Sequence, residues 1–133
     1  MNIMEEKKKI IIIEDDNSLR RILRERLQKE NAFEILEAAN GKEALELMQQ
    51  FSPDLALLDI DIPVIDGLTL ARVMDEQKIT EKTKILFLTN SSDINKISVA
   101  SVIHGVLGYL IKSDWDIEQI VKQIKDHLTR GSK

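Results

Sequence analysis

Five acids stand in two short clusters, Glu14-Asp15-Asp16 and Asp59 with Asp61, and each cluster closes an apolar run. Thr89 and Lys112 hold the same position at the ends of two later apolar runs. Carboxylates gathered at one place repel one another, and at least one of their pKa values must rise. A hard divalent cation relieves that repulsion, and an oxygen-only ligand set suits Mg2+, or Mn2+ in its place. With Lys112 opposite the acids and Thr89 offering a hydroxyl, the set suits phosphoryl transfer to a carboxylate. Asp59 is then the nucleophile. The cation and Lys112 neutralise charge on the moving phosphoryl group, and Thr89 donates to one of its oxygens.

Such chemistry needs elements that bring these strand ends together. Apolar runs of strand length recur at 9–14, 33–38, 54–59, 84–89 and 106–111. Runs apolar on both faces suit a parallel sheet covered on each side. Helical stripes alternate with them. Leu19, Ile22, Leu23 and Leu27 form the first, with Asn17 or Ser18 expected as N-cap. Ala44, Leu45, Met48 and Phe51 form the second, opened by a capping-box pattern at Asn40 and Glu43. Leu68, Ala71 and Met74 make a third. Ile117, Ile120, Val121, Ile124 and Leu128 make the last, with Ser113 or Asp114 expected as cap. The segment 93–104 carries Ile94, Ile97, Val99, Val102 and Ile103 around most of a helix, which implies deep burial or an apolar outer face. The pattern is α/β, a (βα)5 open parallel sheet with helices on both faces. Ligands of such sheets bind beyond the carboxyl ends of the strands. If strands 1 and 3 are neighbours, the acids converge there.

At 133 residues, with 43% hydrophobic and 32% charged residues, the chain suits one globular domain over 8–129, with tails expected at 1–7 and 130–133. A net charge of −4 argues against a nucleic-acid surface, and Lys7-Lys8-Lys9 reads as a solvated strand entry. No run reaches the roughly 20 apolar residues of a membrane span. No secretory leader pattern opens the sequence, so a cytoplasmic location is expected. The absence of cysteine removes disulfides, thiol nucleophiles and thiolate metal sites.

Four segments carry a family resemblance: IIIEDD (11–16), LLDIDIPVIDG (57–67), LFLTN (86–90) and GYLIK (108–112). In this order, each at a strand end, they resemble the receiver domain of two-component response regulators. The resemblance implies a flavodoxin-like open sandwich with strand order 2-1-3-4-5 and a phosphoacceptor at Asp59. It implies Mg2+ held by Asp15 directly, by Glu14 through water and by the backbone carbonyl of Asp61. Thr89 and Tyr109 would be the switch pair, and Lys112 the partner of the Asp59 carboxylate or its phosphate. The implied partners are a sensor histidine kinase or phosphotransfer protein, and a downstream protein target or a homodimer. The output contacts would run through helix 93–104 and the following strand and helix, with no catalysis beyond the domain's own phosphorylation and dephosphorylation. Two features depart from the family pattern. Lys112 precedes Ser113 rather than proline, which favours a trans peptide there, and Asn90 stands where the family usually has a very small residue.

The plainer readings are structural. Asp16 serves as a favourable charge at a helix N-terminus, Asp66-Gly67 as turn chemistry, His104 and His127 as surface or cap residues, and Trp115 as an anchor for the last helix. Asp59-Ile60-Asp61 also resembles the D-x-D of haloacid-dehalogenase-type phosphatases, but there the motif precedes its further acids, whereas here it follows them. A degenerate receiver acting without phosphorylation is the other alternative. A flavodoxin-like cofactor site is disfavoured by three acids where a phosphate loop would need Gly, Ser or Thr.

Overall fold

Five parallel strands form one sheet in the order β2-β1-β3-β4-β5, seen in a computed structural model that describes residues 7–130. The strands are β1 (Lys8–Ile13), β2 (Phe33–Ala38), β3 (Leu55–Leu58), β4 (Lys84–Thr89) and β5 (Val106–Ile111). The helices are α1 (Asn17–Gln28), α2 (Gly41–Phe51), α3 (Gly67–Glu76), α4 (Ile94–Ser101) and α5 (Ile117–Arg130). Residues 1–6 and 131–133, most of the expected tails, lie outside the described residues.

Period-two alternation of buried residues assigns the helices to two faces. Ile11, Ile13, Ala56, Leu58, Ile85 and Phe87 pack with Ala44 and Met48 of α2, Leu70, Ala71 and Met74 of α3, and Ala100 of α4. Ile10, Ile12, Leu55, Leu57, Leu86 and Leu88 pack with Leu23 and Leu27 of α1 and with Ile120, Val121 and Ile124 of α5. The three inner strands are therefore apolar on both sides because both sides are covered. β5 forms an outer edge. Its pairing with β4 skips Leu107, since Ile85 opposes Val106 while Leu86 opposes Gly108. That skip is a β-bulge.

Several boundaries differ from the sequence expectation. The cap of α1 is Asp16, not Asn17 or Ser18, because its carboxylate accepts the N–H groups of Ser18 (3.0 Å) and Leu19 (3.2 Å). The cap before α5 is Asp116, not Ser113 or Asp114. Lys112–Asp114 is taken up by a 3-10 turn, and Asp116 and Gln119 then bond reciprocally, at 2.8 and 2.9 Å. α4 is shorter than 93–104. Asp93 caps it and the chain leaves the helix at Val102, so its apolar residues divide. Ala100 and Ile103 are buried, while Ile94 (74% exposed) and Val102 (82%) face outward.

Candidate functional site: an acidic cluster at the strand ends

Strand register builds the site. Ile13 of β1 lies opposite Leu58 of β3, so the next residues along, Glu14 and Asp59, leave the sheet side by side. The Asp59 N–H donates to the Ile13 carbonyl at 3.1 Å and fixes that alignment. Thr89 of β4 pairs with Ile111 of β5, and Lys112 follows Ile111. Four strands thus deliver Glu14, Asp59, Thr89 and Lys112 to one edge of the sheet.

Glu14 and Asp59 are only 3% and 4% exposed. Lys112 reaches between them: its Nζ lies 2.7 Å from Glu14 Oε1 and 3.0 Å from Asp59 Oδ2. The remaining carboxylate oxygens are also held. Asp59 Oδ1 accepts the Asp61 N–H at 3.1 Å, and Glu14 Oε2 accepts the Asp16 N–H at 3.0 Å. Burial raises the Glu14 carboxyl above the ordinary glutamate range, partly offset by the Lys112 and Asp16 hydrogen bonds. Burial opposes the charge on Lys112, but the hydrogen bonds to Glu14 and Asp59 outweigh it and raise its pKa. The ammonium therefore stays charged at neutral pH.

One carboxylate oxygen each from Glu14, Asp15 and Asp59 lies within 4.8 Å of the others. Two of these acids are buried and Asp15 is exposed. This all-oxygen donor set with one open side fits a hard divalent cation that keeps some of its water.

The other expected residues sit around this group rather than in it. Thr89 is fully buried, and its hydroxyl accepts the Ser91 N–H at 3.4 Å. Tyr109 points to the β4–α4 loop, where its hydroxyl donates to the Ser91 carbonyl at 3.0 Å and its ring leans on Phe87 with centroids 5.6 Å apart. Burial raises the pKa of that phenol. The Asp61 side chain turns outward and faces Lys96 of α4 at 3.7 Å. Asn90 is exposed, and the Lys112–Ser113 peptide is trans.

The β3–α3 loop is shaped by two unusual backbone positions. Gly67 opens α3 hard against the strand end; a Cβ there would collide with the Asp59 carbonyl oxygen and lie 2.6 Å from Ile60 Cα. Its N–H donates to the Ile60 carbonyl at 2.8 Å. Val64 has φ +74° and sits in a turn closed by Ile65 N–H to the Pro63 carbonyl at 2.9 Å, the strained form of the γ-turn. Asp66 caps α3, accepting the Thr69 N–H at 3.0 Å and its hydroxyl at 2.8 Å.

Two residues of this neighbourhood escaped the sequence reading. Lys96 is one. The other is Arg20, whose guanidinium donates to the Glu14 carbonyl at 2.7 Å. Arg20 had a faint signal, an arginine in the turn after the N-cap, where acids are the usual choice.

Comparison with known proteins agrees with this geometry. A family model described as the response regulator receiver domain matches residues 10–125. Sporulation initiation phosphotransferase F of Bacillus subtilis is 31% identical over 115 residues, covering 86% of this chain and 89% of that protein. A protein-glutamate methylesterase/protein-glutamine glutaminase of Syntrophomonas wolfei is 29% identical and is matched by 96% of this chain. The chain spans about a third of the length of such methylesterases. Among solved structures, the receiver domain of the putative response regulator NarL from Mycobacterium tuberculosis superposes with a TM-score of 0.81 at 27% identity, covering 92% of this chain and 96% of that one. The chemotaxis response regulator CheY4 of Vibrio cholerae gives 0.78 at 25% identity, with 91% and 98% covered. With strand order, acidic strand ends and a match along nearly the whole sheet in agreement, the chain belongs to the response regulator receiver domain family and is homologous to the phosphoacceptor regulators of two-component systems.

Proposed function

We propose that Asp59 is the phosphoacceptor and that the domain works as a phosphorylation-controlled protein switch. The observation that carries this reading is the buried Asp59 carboxylate with the Lys112 ammonium 3.0 Å away and two further acids beside it. An Asp59 oxygen attacks the phosphorus of a phosphohistidine on a sensor kinase or phosphotransfer protein. The P–O bond forms as the P–N bond breaks, and the imidazole leaves as the neutral base or takes a proton from water. Lys112 stabilises the charge gathering on the phosphoryl oxygens. The Asp61 N–H, now on Asp59 Oδ1, orients the nucleophile. Thr89 exchanges its weak loop contact for a phosphoryl oxygen.

Mg2+ or Mn2+ bound by Glu14, Asp15, Asp59 and the Asp61 carbonyl would supply further charge neutralisation. The acyl phosphate adds roughly −1.5 to −2 charges, by analogy with phosphorylated hydroxyls. Movement of Thr89 disturbs the Ser91 segment on which Tyr109 rests, and this displaces the β4–α4 loop and the surface of α4, β5 and α5. Exposed Ile94, Val102 and Leu107 on or beside that surface support contact with a protein target or a second copy. The reading assigns no catalysis beyond the chain's own phosphoryl chemistry; a methylesterase activity belongs to longer relatives. No helix among the described residues is long and apolar enough to cross a membrane, which accords with the proposed cytoplasmic setting.

Incubation with Mg2+ and acetyl phosphate, followed by intact mass, tests the reading. Wild type gains one phosphoryl group and Asp59→Asn gains none. An unmodified wild type would leave a receiver that acts without phosphorylation.

A further inference from the structure

Arg20 lies outside the acidic cluster, yet it is the residue that holds the cluster's supporting turn. Its guanidinium spends all three nitrogens on different elements. Nη1 donates to the Glu14 carbonyl at the end of β1 (2.7 Å), Nη2 to Asn17 Oδ1 in the first turn of α1 (2.7 Å), and Nε to Glu37 Oε1 on β2 (3.3 Å). The side chain is 18% exposed, and Glu37 is itself anchored by Arg24 at 2.9 Å. The Glu14 carbonyl belongs to the peptide that joins Glu14 to Asp15. Holding that peptide plane limits the backbone freedom from which both side chains depart. The Asp16 N–H, bonded to Glu14 Oε2 at 3.0 Å, closes the same turn from the other side.

We infer that Arg20 is a positioning residue for divalent-cation binding, holding the Glu14–Asp15 turn in the geometry that lets both carboxylates serve one ion. The inference rests on the reading above that these acids hold a cation. Two effects of Arg20 oppose each other. Its positive charge repels a cation nearby, whereas its clamp spares the site the entropy of ordering the turn. Glu37 pairs with the guanidinium and offsets part of that charge, so the clamp is expected to outweigh it.

The two effects predict opposite signs for Arg20→Gln. Mg2+ affinity is measured by isothermal titration calorimetry at fixed ionic strength on wild type, Arg20→Lys and Arg20→Gln. Lysine keeps the charge but lacks the planar fork that serves three acceptors. If Arg20 positions the turn, both variants bind Mg2+ roughly tenfold more weakly, the low end of what loss of a supporting hydrogen bond costs a metal site. The Asp16 amide then exchanges faster in Arg20→Lys, while the Leu23 and Leu27 amides keep their protection. Unchanged affinity in Arg20→Lys, or tighter binding by Arg20→Gln, overturns the inference. Should Arg20→Gln fail to fold, Arg20→Lys and Asn17→Ala decide the matter, the latter weakening binding in the same direction by a smaller factor. A wild type that binds no Mg2+ removes the cation reading and this inference together; an Arg20→Lys as tight as wild type removes only the inference.

Discussion

Lys112→Met removes the ammonium that touches both buried acids while leaving a side chain of similar length and apolar bulk. Glu14 and Asp59 then stand side by side, nearly inaccessible to water, without the ammonium that paired with both carboxylates. Breaking a buried ion pair by deleting one partner costs about 3–5 kcal/mol. Lys112 keeps 16% side-chain exposure, so the low end, about 3 kcal/mol, is expected. Protonation of Glu14 offers an escape, but at pH 7 it costs about 3.7 kcal/mol for a carboxyl of ordinary pKa near 4.3. It becomes competitive only because burial has already raised Glu14. A divalent cation should restore most of the loss, since a ligand at one hundred times its Kd stabilises the native state by about 2.7 kcal/mol. The variant should also bind Mg2+ more tightly than wild type, having lost a competing charge from the site. Urea unfolding of both proteins, in chelator and in excess Mg2+ at matched ionic strength, reads each quantity. A Lys112→Met protein within about 0.5 kcal/mol of wild type in chelator, well below the expected penalty, would refute the buried-charge reasoning.

The β3–α3 loop yields three further expectations. Gly67→Ala forces a Cβ into the Asp59 carbonyl, and a loss of about 2–3 kcal/mol, in the range of core overpacking, should appear as an earlier urea midpoint together with weaker phosphorylation by acetyl phosphate. Val64→Gly relieves a left-handed β-branched residue whose strain, about 1–3 kcal/mol, exceeds the added unfolded-state entropy of glycine, about 0.5–1 kcal/mol; thermal unfolding should show a net gain. Burial works against the charge on Asp66, but the Thr69 and Leu68 hydrogen bonds outweigh it and hold its carboxyl below the ordinary aspartate range. A depressed pKa contributes stability that is full above the unfolded value of about 3.9 and fades as pH falls through the lower folded value. Asp66→Asn keeps an acceptor for the cap, so its stability difference from wild type should shrink below about pH 4; a difference independent of pH between 3 and 7 would contradict this assignment of the cap charge.

Strands were the most legible elements. β2, β4 and β5 begin and end where their apolar runs do. β1 and β3 stop before Glu14 and Asp59, the acids that the sequence reading counted as strand ends, because both leave the ladder to face the site. The helix caps were harder to read. Asp16, Asn17 and Ser18 all carry capping side chains, and only the backbone path decides which one turns back onto the helix. The ends of α4 were hidden for another reason: Ile94 and Val102 extend an apolar pattern that the core does not use. Periodicity indicates which residues are apolar, not which of them find a partner. Strand order came from the family resemblance, since the apolar pattern alone permits other arrangements of five parallel strands. The meeting of Glu14, Asp15, Asp59 and Lys112 follows once β1, β3 and β5 are placed. Arg20 meets the Glu14 carbonyl, and Lys96 the Asp61 side chain, across gaps set by tertiary packing, and beyond the faint signal at Arg20 no local motif marks them.

The bulge that pushes Leu107 out of register on β5 affects how this molecule meets others of its kind. An outer strand with a straight, unpaired edge invites a second chain to add itself by backbone hydrogen bonding. Here only Gly108–Ile111 runs in regular register with β4, and the residue before it breaks the line. A strand laid along that edge would lose alignment after four residues, a poorer template than a straight edge. Association on this side is then favoured through side chains, which depend on the identity and conformation of the partner in a way that backbone pairing does not. The irregularity thus protects the concentrated protein against indiscriminate sheet extension while leaving open contacts that can be made and broken.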